Sequence, residues 1–284
     1  MPFDLNIIIY KNEKAGVTEM DGGLKYWQDK RKQRLKKNWE GKRYLLLDAF
    51  RGLSIINMSA FHFLYDYYVI FGRNVNWWKL PEIRLWQSYI CMSFIILSGF
   101  VWKWGRKSNL KRGIFLNICG LAVSLVTYAA VPDSAVWFGI LNFIGCAVLL
   151  MIPLDIILKK IPAVPGIFIS LFLFILSYDM QLGYLSLGSV RIAKIPDFLY
   201  DIKILTPLGF PYPEFFSGDY FPILPWIFLY MVGYFMVASF EKQETWKRIG
   251  KTYIPVLPWM GQKSIWIYLI HQPICMVICQ LFFG

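Results

Sequence analysis

Seven long runs of apolar residues constrain this chain more than anything else in it. They fall at about 45–70, 86–102, 114–131, 135–158, 165–180, 221–240 and 262–283. A helix rises 1.5 Å per residue, so about 20 residues cross a hydrocarbon core. Runs of this length mark membrane-spanning helices rather than one large soluble core. Composition agrees: 57% of the 284 residues are hydrophobic and only 17% are charged. The expected fold class is all-α, a polytopic transmembrane helix bundle of about seven spans. Its domain is expected over 44–284, preceded by a basic segment, 1–43.

The net charge of +12 would suggest nucleic acid in a soluble protein. Here the basic residues cluster in short segments between apolar runs, which is the pattern of cytoplasmic retention and excludes a nucleic-acid partner. With the N-terminus inside and the C-terminus outside, the inner segments carry 22 Lys and Arg and the outer segments 6. The densest cluster, Lys30 to Lys37, fixes topology and meets anionic headgroups of membrane lipids. The expected location is a bacterial plasma membrane with a cytoplasmic N-terminus. The longest outer segment, 181–220, holds four prolines and is expected to form an ordered cap; a short eighth span within it stays open.

Four ionisable residues share the first run: Asp48, Arg51, His62 and Asp66. Each is costly in lipid, about 2.5–3.5 kcal/mol for Asp or Arg at mid-depth. At 100° per residue all four fall within about 60° of arc. Arg51 and His62 lie about 16 Å apart along the axis. One polar stripe therefore runs along this helix. Arg51 can present a planar fork to a phosphate, with Asp48 orienting it. His62, deeper, can take a proton from an attacking amine or hydroxyl. Asp66, at i+4, is placed to hold that imidazole. The same residues are also consistent with a structural pair at the helix end and a packed histidine.

Other marks follow. His271 and Gln272 precede Pro273 in the last run, where Pro273 frees a carbonyl and kinks the helix. His271 is a candidate second proton carrier. Ser98 and Gly99, at the inner end of the second run, allow close backbone approach. Arg106 and Arg112, with their lysine neighbours Lys107 and Lys111, sit at the same face. Asp219, Tyr220 and Trp226 open the sixth run from outside and, with Gln272, are the candidate acceptor-binding residues; Asp219 equally suits a helix cap. The five cysteines, all in apolar runs without zinc-like spacing, read as buried free thiols, and no metal is expected.

In order along the chain stand Asp48-Ala49-Phe50-Arg51-Gly52-Leu53, His62-Phe63-Leu64-Tyr65-Asp66, Leu97-Ser98-Gly99-Phe100 and Phe138-Gly139-Ile140-Leu141-Asn142. Asp219-Tyr220-Phe221-Pro222 and Tyr268-Leu269-Ile270-His271-Gln272-Pro273 complete the set. Together, over about 43–284, they resemble the catalytic domain of the heparan-α-glucosaminide N-acetyltransferase family, including its bacterial members. The Arg51–His62 spacing also resembles that of polysaccharide acyltransferases. The resemblance implies acetyl-CoA taken from the cytosol and a glycan acceptor across the membrane. The residues read above fit that chemistry: Asp48, Arg51, Ser98, Gly99, Arg106 and Arg112 are expected on the donor side, and His62, Asp66 and His271 at the reacting atoms. Lysosomal members place a catalytic histidine after the first helix; Gly72–Trp78 here has none, so direct transfer with His62 as base is expected. A homo-oligomer is compatible with the chain. The rival reading is a proton-coupled transporter or flippase, since intramembrane Asp and His also build proton relays.

Overall fold

The computed structural model describes residues 44–240 and 256–283. The basic segment 1–43, with its Lys30–Lys37 cluster, and the inner segment 241–251 lie outside the described residues. Seven long helices form the bundle: α1 (Leu45–Tyr65), α2 (Pro81–Phe100), α3 (Asn109–Ala130), α4 (Ile140–Leu158), α5 (Ala163–Ser177), α7 (Ile223–Phe240) and α9 (Ser264–Phe283). Short helices α6 (Phe198–Asp201) and α8 (Leu257–Gln262) and a hairpin, β1 (Tyr184–Leu187) with β2 (Val190–Lys194), complete it. The protein is an all-α, polytopic helix bundle. Among the described residues, six helices are long and apolar enough to cross a membrane. The seventh, α1, has the length at 21 residues, but Asp48, Arg51, Asn57 and His62 dilute its apolar character.

Helix boundaries differ from the apolar runs for physical reasons. The second run gains a polar first turn, because Pro81 supplies a pre-set φ at the helix start. The fourth loses its beginning, because Phe138 has a positive φ of 56° and Gly139 is extended, so helical geometry starts only at Ile140. The first leaves α geometry at Asp66, where a π-helical stretch runs to Ile70. Helical structure continues through Pro273.

Missing side chains let the helices approach closely. A Cβ on Gly99 would meet the Tyr230 carbonyl at 2.1 Å, and one on Gly233 the Ile96 carbonyl at 2.1 Å. Helices α2 and α7 thus cross backbone to backbone and run parallel, the Phe100 and Phe240 rings meeting at their C-terminal ends. Gly113, Gly145 and Gly120 do the same for α3 and α4 against Leu149, Asn117 and Asn142. Between these pairs lies a core of Phe143, Met151, Trp226, Tyr230 and Tyr234. α1 packs on α2 through Ser54–Ser93 (2.8 Å) and Trp86–Asn57 (3.0 Å). Its polar edge is covered by α8 and α9. Gly261 abuts the Asp48 carbonyl, Gly52 abuts Leu257, and Cys275 and Cys279 donate to the Ser59 and Phe63 carbonyls.

Residues 181–220 hold the hairpin, α6 and a 3-10 turn, Lys203–Leu208. The end of this segment is tied to the α3–α4 connection. Gly218 N–H donates to the Ala135 carbonyl, and Ser217 Oγ both accepts from Trp137 N–H and donates to its carbonyl.

Candidate active site at the seam between the first and last long helices

The polar stripe of α1 faces α8 and α9 rather than lipid. His62 and His271 meet there with ring centroids 4.9 Å apart and planes at 61°. His271 Nδ1 lies 2.5 Å from the Tyr268 carbonyl. A carbonyl only accepts, so Nδ1 carries the proton and Nε2 is left as the bare nitrogen. His62 is edge-on to Phe61 and keeps accessible surface deep in the bundle.

Asp66 is fully buried, at 0% exposure, and its Oδ1 accepts from Gln272 Nε2 at 2.9 Å. This corrects the expected Asp66–His62 pair. Asp66 opens the π-helical turn and engages the facing helix instead of the imidazole one turn back. Three buried atoms of this group have no hydrogen-bond partner: Asp66 Oδ2, His271 Nε2 and Gln272 Oε1. All three are acceptors, since His271 spends its proton on Tyr268. A buried unmade hydrogen bond costs about 1–3 kcal/mol. The seam therefore lacks donors.

Towards the N-terminal end of α1, Arg51 Nη1 is 3.2 Å from Asp48 Oδ1, and Gln262 Nε2 is 3.4 Å from Asp48 Oδ2. Arg112 Nη2 donates to Ser98 Oγ at 3.1 Å, and Ser98 Oγ reaches the Tyr230 phenol at 3.5 Å. The charges of Arg51 and Arg112 both act on that phenol. Arg112 thus bonds this hydroxyl pair directly, and Arg51 lies within electrostatic range of it. Gly99 is not available to a donor molecule: its open face is filled by the Tyr230 backbone. Arg106 is engaged by Asp155, which also accepts from the Tyr234 phenol at 2.6 Å. That pair ties the α2–α3 turn to α4.

At the opposite end, Asp219 Oδ2 accepts from the Ile140 N–H at 3.3 Å, capping α4 rather than its own helix. Burial pushes its carboxyl up to about 6, partly offset by that N–H. Asp219 lies within electrostatic range of the Tyr268 phenol, whose ring is 5.5 Å from His271. Asp219, Tyr268 and His62 each keep accessible surface while deep in the bundle. Tyr220 donates to the Thr206 carbonyl at 2.5 Å, and Trp226 packs among Phe174, Tyr178 and Phe221. These two expected acceptor contacts are structural, because their rings fill the bundle's own packing.

Asp155 and Tyr230 were missed by the sequence reading. Asp155 carried a signal, a carboxylate inside an apolar run, which rarely lacks a partner. Tyr230 carried none, because a tyrosine in an aromatic-rich helix is ordinary. Among the described residues no group of three His, Cys, Asp or Glu side chains is placed to hold a metal, and the cysteines are free.

A bundle of several long apolar helices is an integral membrane protein. The family model for the heparan-alpha-glucosaminide N-acetyltransferase catalytic domain matches residues 43–273, and the chain belongs to that family. It is a membrane acetyltransferase by family. No curated protein and no solved structure matches it.

Proposed function

We propose that the protein moves an acetyl group from cytosolic acetyl-CoA to an amine or hydroxyl of a glycan on the other side of the membrane. The observation that carries this reading is the donor-poor histidine seam lying between a two-arginine end and the Asp219 end. A hydroxyl or ammonium supplies the hydrogen bonds that Asp66 Oδ2, His271 Nε2 and Gln272 Oε1 lack.

Arg51 and Arg112 suit the phosphates of the donor, since guanidinium pairs phosphate in a fork. Their end is the cytoplasmic one in the orientation favoured by the basic segments. The acceptor heteroatom attacks the thioester carbonyl. A C–O or C–N bond forms, the C–S bond breaks, and the leaving thiolate takes a proton. His62, the histidine with accessible surface, removes the acceptor's proton. His271, held in one tautomer by Tyr268, offers Nε2 as the next proton acceptor. Asp66 and Gln272 brace the two helices.

The test is turnover of acetyl-CoA by the full chain in detergent with glycan acceptors, alongside calorimetry with acetyl-CoA alone. Binding together with His62-dependent transfer is expected. Absence of binding, with proton-driven flux in proteoliposomes, would replace this reading with a transporter.

A further inference from the structure

The end of the bundle bearing Asp219 contains a groove of about 550 Å³. One wall comes from the α3–α4 connection and the other from the 203–216 stretch of the long segment. Trp137, Tyr212, Phe215 and Phe216 line it, and Phe216 is 65% exposed. Flat aromatic faces beside scattered polar groups suit a ring with one apolar face and a hydroxylated edge.

A second, independent observation points to a ligand. Thr206 lines the groove, is 2% exposed, and its Oγ1 has no hydrogen-bond partner. A buried hydroxyl without a partner is a standing cost that a bound hydroxyl removes.

Charge narrows the ligand. Among the lining residues Asp133 and Glu214 are acidic and Lys203 is basic. The Lys203 ammonium sits over the Tyr212 ring, 5.0 Å from its centroid, and balances only one of the two acids. The groove is thus net negative, and it repels a polyanion.

Position gives it a role. Trp137 is tied through Ser217 to the segment that carries Asp219, and Asp219 lies within electrostatic range of Tyr268 beside the histidines. We infer that this groove is the acceptor-binding subsite and takes an uncharged or amino-bearing pyranose chain, not a sulfated one. Its role as acceptor site rests on the acetyl-transfer reading; its ability to bind sugar does not.

The experiment is calorimetry on the full chain in detergent, without acetyl-CoA. Three probes are compared: a neutral glucose tetrasaccharide, a glucosamine tetrasaccharide and a sulfated uronic-acid tetrasaccharide. Binding of either of the first two, at least tenfold tighter than the third, is expected. Phe216→Ala and Glu214→Gln change exposed side chains, so the fold should stand, which a melting curve checks. Each should weaken sugar binding at least tenfold and raise KM for the acceptor without changing kcat or acetyl-CoA affinity. No sugar binding, equal or tighter binding of the sulfated probe, or variants that bind as wild type would overturn the subsite. Sugar binding without acetyl-CoA binding would leave the groove standing and sink the transferase reading alone.

Discussion

His62 on α1 and His271 on α9 lie ring against ring, 4.9 Å between centroids, although 209 positions separate them in the chain. The contact joins a helix at one end of the sequence to a helix at the other. It makes the two histidines of this chain one chemical unit.

If His62 is the base, His62→Ala should lower acetyl transfer by roughly 100- to 10,000-fold. His271→Ala should also impair turnover, because it removes the next proton acceptor. Steady-state rates across pH 5 to 9 test both. Wild-type turnover in either variant contradicts the relay.

Asp66 and Gln272 should be energetically coupled. Asp66→Ala leaves the Gln272 amide buried without its partner, and the reverse change strands a carboxylate. A double-mutant cycle of stability in detergent should show coupling of about 1–3 kcal/mol. Additive losses would mean that the bond holds nothing together.

Gly99 and Gly233 face each other's helix backbones at 2.1 Å for an added Cβ. Gly99→Ala and Gly233→Ala should each cost about 1–3 kcal/mol through overpacking. They act on one crossing, so the double variant should cost less than the sum. Unchanged melting temperatures would show that the helices can part freely.

Arg112 and Arg106 should separate by function. Arg112→Ala removes a cation from the Ser98–Tyr230 cluster and should weaken acetyl-CoA binding about ten- to a hundredfold. Arg106→Ala should lower the melting temperature, because Asp155 loses its partner inside the bundle. Calorimetry and melting curves on both variants decide; reversed effects would exchange their roles.

Asp219 sets a pH dependence. Its folded carboxyl, at about 6, lies above the ordinary 3.8, so the folded state binds the proton more tightly than the unfolded chain. The stabilising term is therefore full below about 4, shrinks as pH rises towards 6, and is gone above it. Asp219→Asn, which can still accept from Ile140 N–H, should abolish that part of the decline. Parallel pH–stability curves for the two proteins would refute it.

The sequence by itself determined the material of this protein. Apolar runs of about 20 residues force helices, because backbone groups in lipid must bond within their own segment. The 3.6-residue period by itself places Asp48, Arg51, His62 and Asp66 on one edge. What that edge meets was not legible. A single helix cannot say which neighbour covers it, so Gln272 as the partner of Asp66, and Asp155 as the partner of Arg106, emerged only from packing. Gly99 shows the same limit: the sequence marks a close approach but not whether cofactor or backbone fills it. Spacing along one helix is fixed by local bonds, whereas contacts between helices depend on which surfaces fit once all of them are assembled.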